Sequence, residues 1–159
     1  MHCWIRNYLI TNCSILNQTV NQSDFVPSDL FTGITDRGSG RLFVMNCSIL
    51  GYYHSGIGYY TNHAVITNNR VTNTRYGIYV GGSDSDISYN EISETDTTEG
   101  FQSSIFGSAA IWVGYDGSNS NSIHHNIIKG GGRGINLALA NEVISNDGKI
   151  FYSLKRWIF

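Results

Sequence analysis

With 159 residues, 41% hydrophobic and 14% charged, the chain has enough apolar material for one domain with a sizeable core, and no apolar run approaches the length of a membrane span. A net charge of −2 with scattered Lys and Arg offers no basic stripe for nucleic acid, and three unclustered Cys make neither a zinc motif nor an even disulfide framework. One Pro and 18 Gly favour short strands with tight corners over helices.

Residues Met1 to Ile15 contain neither a positively charged start followed by an apolar run nor a small-residue cleavage site, so no signal peptide is read. From Ile10 a short unit recurs: aliphatic, two variable residues, Asn or Cys, one variable residue, aliphatic. Its copies are Ile10, Cys13, Ile15; Val44, Cys47, Ile49; Ile66, Asn69, Val71; Ile87, Asn90, Ile92; and Ile123, Asn126, Ile128, with a further start at Val143 and Asn146. A second unit alternates with it, a small residue followed by an aliphatic-any-aliphatic triplet. It begins at Gly33-Ile34 and Gly56-Ile57, and is clearest at Gly77-Ile78-Tyr79-Val80, Ala110-Ile111-Trp112-Val113 and Gly134-Ile135-Asn136-Leu137. From Ile66 to Ile87 is 21 residues, and a fixed period of that size marks a solenoid of stacked coils.

Strand alternation within each triplet turns Ile78 and Val80 inward, with Ile111 and Val113 stacked on them, and turns Tyr79 and Trp112 outward. In the other unit the spacing of three and then two breaks the period of two, so the chain bends at or near the Asn. Asn tolerates a left-handed corner, and its side chain can bond the neighbouring coil's backbone. Cys13 and Cys47 replace Asn in the first two coils and read as small buried thiols rather than a metal or redox site.

The Asn column and the Gly-aliphatic-any-aliphatic column together, over about residues 10 to 147, resemble the right-handed parallel β-helices of the pectate-lyase-like superfamily. The resemblance implies an all-β fold: a right-handed single-stranded parallel β-helix (solenoid) of about six coils, three strands to a coil, with the Asn corner between the second and third strands. Residues 1–150 are then repeats, with loops 17–32 and 94–108 inserted at one corner, and 151–159 form a C-terminal cap or a non-native tail. No capping helix precedes Ile10, which points to a piece of a longer protein, secreted or at the cell surface, or to a non-native start.

Loops aligned at one corner would wall a groove beside the first-strand face, and a smaller insertion at 114–122 would flank its other side. The outward row of that face reads Thr35, Gly58 with Tyr60, Tyr79, Trp112 and Asn136. Coils about 4.8 Å apart match the length of a sugar ring, so Tyr60, Tyr79, Trp112 and Asn136, with Arg75 beside them, are candidate glycan contacts, and Trp112→Ala is expected to weaken binding without unfolding the chain.

The resemblance also implies chemistry on an acidic polysaccharide by a lyase, epimerase or glycoside hydrolase. Arg133 or Lys129 would take the proton or stabilise the enolate. Asp84 and Asp116, on the opposite flank with Asp86 and His63, would hold Ca²⁺ or serve as an acid and base pair. The Asp-Asp, Gly-His-Gly and Arg-any-Lys signatures of polygalacturonase-like hydrolases are absent. The competing reading is a non-catalytic adhesin, tail-spike portion or carbohydrate-binding module, and neither nucleic acid nor membrane is an expected partner. His124 and His125 fall on the second strand, away from the groove.

Overall fold

The computed structural model describes residues 7–16, 32–38, 40–51, 54–93, 109–114, 118–130, 133–137, 141–144 and 150–151. Among them are seventeen strands and no helix. The strands form three sheets, all of whose pairings are parallel. The first sheet holds β3 (Thr32–Asp36), β6 (Ser55–Tyr59), β9 (Tyr76–Val80), β12 (Ala109–Val113) and β15 (Arg133–Leu137). The second holds β1 (Asn7–Thr11), β4 (Arg41–Met45), β7 (Val65–Thr67), β10 (Asp86–Ser88), β13 (Asn119–His124) and β16 (Asn141–Ile144). The third holds β2 (Ser14–Leu16), β5 (Ser48–Leu50), β8 (Arg70–Thr72), β11 (Glu91–Ser93), β14 (Ile127–Lys129) and β17 (Ile150–Phe151). The chain visits the sheets in turn, always adding a strand beside its predecessor, which is consistent with a parallel β-solenoid.

The repeated aliphatics are the core. Ile34, Ile57, Ile78, Ile111 and Ile135 are in register in the first sheet. Val44, Ile66, Ile87 and Ile123 line up in the second, and Ile49, Val71, Ile92 and Ile128 in the third. Val80 and Val113 are both fully buried at 0% exposure. Each aliphatic rests on its counterparts in the circuits beside it, so both sides of the side chain are removed from water, at roughly 25 cal/mol per Å².

Two local expectations change. The left-handed residue at the second corner is not the column Asn but the one before it: Asn12, Asn46, Asn68, Tyr89 and His125 all have φ between 53° and 56°. The column residues Asn69, Asn90 and Asn126 are instead buried and form a ladder. The Oδ1 atoms of Asn69, Asn90 and Asn126 accept from the backbone N–H of Cys47, Asn69 and Asn90 respectively, each at 3.0 Å. Their Nδ2 atoms donate to the carbonyls of Val44, Ile66 and Ile87 at 2.8–2.9 Å. A backbone group turned out of its strand at a corner is thereby paired across circuits.

The second correction concerns the last strand of the second sheet. Ile123 pairs with Ile144, and Val143 with Ser122, because the register shifts between Asn119 and Ser122. Val143 therefore does not continue the column, and Asn146 lies outside the described residues. In addition, β13 already begins at Asn119, so the second half of the expected 114–122 insertion is strand. The expected insertions 17–32 and 94–108 fall, apart from Thr32, outside the described residues; both connect the third sheet to the first. The tail beyond Phe151 is likewise outside them.

Candidate functional site

Strict alternation fails at one place in the first sheet, and that failure builds its outer face. A side chain at Gly77 would meet Ile92 of the third sheet and the Ala110 carbonyl oxygen at 2.5 Å, and one at Gly56 would meet Val71. The small-residue column therefore points into the core, alongside Ile57, Ile78 and Ile111 rather than opposite to them, and Ala110 is in the core cluster with them. Two successive inward residues mean that the residue before the glycine turns outward. Tyr76 and Ala109 accordingly join Tyr79 and Trp112 in a second, separate cluster, with Tyr60 packed against it.

Two outward columns result, Ser55, Tyr76, Ala109 and Gly58, Tyr79, Trp112. The rings form one continuous group. Tyr79 stacks on Trp112 at 4.5 Å and 29°; Tyr76 lies 5.9 Å from Tyr79 and 5.7 Å from Trp112; Tyr60 lies 5.7 Å from Tyr79; His54 meets Tyr76 edge-on at 5.2 Å. Guanidinium groups complete it, Arg37 over Tyr60 and Arg75 over Tyr76, each 5.1 Å from the ring centre, a distance at which the ring quadrupole attracts a cation. Gly81 leaves room for the Tyr60 ring and Gly114 for the Trp112 ring, since a Cβ at either position would stand 2.5 Å from a ring atom.

Burial distinguishes these rings. Tyr79 and Trp112 are 8% and 6% exposed, so their faces are spent on each other, whereas Tyr60 and His54 are half-buried and Thr35 and Arg37 exposed. Asn136 pairs with Trp112 at the far end of the same row and is half-buried. Trp112 is thus a packed residue, and its removal would leave a cavity as well as remove a contact.

Among the described residues the candidates Lys129 and Asp84 stand on different elements. Lys129 is on the third sheet, where its Nζ donates to Glu91 Oε1 at 2.7 Å. That hydrogen bond holds the Glu91 carboxyl below its ordinary range, against a smaller opposing effect of burial. Arg133 opens β15 in the first sheet and pairs with Ala109. Asp84 is exposed in a left-handed corner between β9 and β10, with His63 in the equivalent corner one circuit earlier. Asp116 lies outside the described residues. Asp86, expected on the same flank, instead faces His124 on the second sheet, with Oδ1 to Nε2 at 3.0 Å. Among the described residues no group of three or more His, Cys, Asp or Glu is placed to hold a metal. Asp84, the proposed ligand that lies among the described residues, supplies at most two of the about six to eight oxygens that Ca²⁺ takes.

Sequence reasoning missed Tyr76, because a period of two sends it inward with Ile78, and missed His54 and Arg37, which flank β6 and β3 and belong to no repeated position. The signal available was the glycine itself: a small residue beside an aliphatic in every copy marks a position too crowded for a side chain. A second polar ladder was missed too. Ser85 Oγ accepts from the Ala64 N–H, the Ser85 N–H donates to Asn121 Oδ1, and Asn121 Nδ2 donates to the Gly82 carbonyl. Its members differ in every circuit, so no repeated letter announces it. Comparison with family models, curated proteins and solved structures finds no match to this chain.

Proposed function

We propose that the chain is a glycan-binding solenoid, a right-handed parallel β-helix of about six coils of the pectate-lyase-like kind, working outside the cell on a uronate-bearing polysaccharide. The observation that carries this reading is the aromatic group on the outer face of the first sheet, set apart from the core and fringed by Arg37 and Arg75. Rings with polar tips suit sugar faces, and guanidinium forks suit carboxylates. The glycan docks at the accessible end of the face, on Tyr60, Arg37 and Thr35, while Tyr79 and Trp112 form the packed floor beneath. Binding is favoured over turnover because Lys129, Arg133 and Asp84 occupy a different sheet, a strand start and a corner.

The test is titration calorimetry with a polyuronate and a neutral polysaccharide of equal length. The polyuronate should bind more tightly, less so as salt is raised, and Tyr60→Ala and Arg37→Ala should each weaken it about tenfold or more. Equal affinity of both variants and wild type would remove this face from consideration. Release of reducing ends or new double bonds on incubation would return the reading to a lyase or hydrolase.

A further inference from the structure

Where the Asn ladder reaches its first two circuits, thiols take its place. Thr11 pairs with Met45 in the second sheet and Ser14 with Ser48 in the third, so the intervening Cys13 and Cys47 are brought opposite each other from both sides. Adjacent parallel strands stand about 4.8 Å apart, inside the Cα separation of about 4.4–6.8 Å that a disulfide spans. The two sulfurs face each other at 2.7 Å, and the Cys47 backbone is anchored by its N–H to Asn69 Oδ1. A thiol is a weak donor beside the amide it replaces: Cys47 Sγ reaches the Ile10 carbonyl of the neighbouring circuit only at 3.8 Å, where the Asn amides donate at 2.8–2.9 Å. Cys47 is buried, but Cys13 is half-buried. An open concavity of about 550 Å³ lies over the pair, lined in part by Asn12, Asn46, Asn68 and Arg70.

We propose that Cys13 and Cys47 are an oxidation site, closing to a disulfide that ties the first two circuits together by exchange with a small carboxylate-bearing disulfide admitted over Arg70. The more accessible Cys13 thiolate attacks one sulfur of that reagent, forming a mixed disulfide and releasing one thiolate. The Cys47 thiolate then attacks the Cys13 sulfur, forming the Cys13–Cys47 bond and releasing the second. Two protein thiols are oxidised, one small disulfide is reduced to two thiols, and the two protons pass by way of solvent from the protein thiols to the released thiolates. Burial and the hydrogen bond to Cys47 push the Cys13 thiol up to about 11, so the exchange accelerates as pH rises toward that value. None of this depends on the glycan reading.

Trypsin, cleaving after Arg6, Arg37, Arg41 and Arg70, places Cys3, Cys13 and Cys47 in three separate peptides. The folded chain is incubated with glutathione disulfide, its remaining thiols are blocked, and the digest is read by mass spectrometry. The expected product is the peptide of residues 7–37 linked to that of residues 42–70, at the expense of both free thiols, with the three possible pairings mixed when the reaction is run in denaturant. Cys47→Ser should stop at the mixed disulfide on Cys13; should that variant fail to fold, the wild-type map decides alone. Hydrogen exchange of β1 and β2 should slow about tenfold or more in the linked form. A persistent mixed disulfide on wild-type Cys13, linkage dominated by Cys3, or thiols that stay free at alkaline pH would each overturn the proposal.

Discussion

Asn69, Asn90 and Asn126 carry the polar load of the corner while their neighbours Asn68, Tyr89 and His125 carry its backbone strain, a division that substitutions should separate. Asn90→Ala leaves the Asn69 N–H and the Ile66 carbonyl without their partner and should cost about 2–4 kcal/mol in urea unfolding. Asn68→Ala keeps the ladder and only worsens a left-handed residue, a cost of about 1 kcal/mol. The spacing of the repeat located this corner but could not say which of two adjacent residues turns left-handed. Tyr89 is a poor candidate by propensity, and it takes that conformation because the ladder fixes the residue after it. Tertiary pairing overrides local preference there.

Among elements, the third sheet offers a tie that titrates. Lys129 on β14 holds Glu91 on β11 below the usual carboxylate range, so the stabilisation is present above the unfolded carboxyl's pKa and is lost as pH falls through the lower folded value. Both groups are partly exposed, so the effect is small. Lys129→Ala should cost up to about 1 kcal/mol at neutral pH, and the gap to wild type should close as the solution is acidified below about pH 4. In the first sheet, Gly77→Ala forces a methyl against Ile92 and the Ala110 carbonyl and should cost about 1–3 kcal/mol, lowering the urea midpoint. That substitution should also disturb the near-ultraviolet circular dichroism of the aromatic face, since the same bend turns Tyr76 outward. The sequence marked the glycine as a strand partner; that it faces inward emerges only when the third sheet's Ile92 is packed against it.

For the whole molecule, each circuit rests on its two neighbours, so stability is close to a sum of nearest-neighbour contacts. The five residues in each of β6, β9 and β12 are all buried, and these strands should exchange their amide hydrogens most slowly, with β1 and β2, whose residues are exposed or half-buried, among the fastest. Trp112→Ala should lower overall stability by about 3–5 kcal/mol, measured by urea, where its outward position in the sequence implied a change in glycan binding alone. By itself the sequence determined the stacking, the in-register aliphatic columns and the corner Asn ladder, because these recur once per circuit and each copy meets only its own image. The tertiary structure alone decided which rings face solvent, that Lys129 answers Glu91 and Asp86 answers His124, and that Lys129 and Asp84 stand on different elements. Such contacts join unlike residues from different sheets and corners, and their geometry depends on bends and side-chain directions that no repeat period encodes.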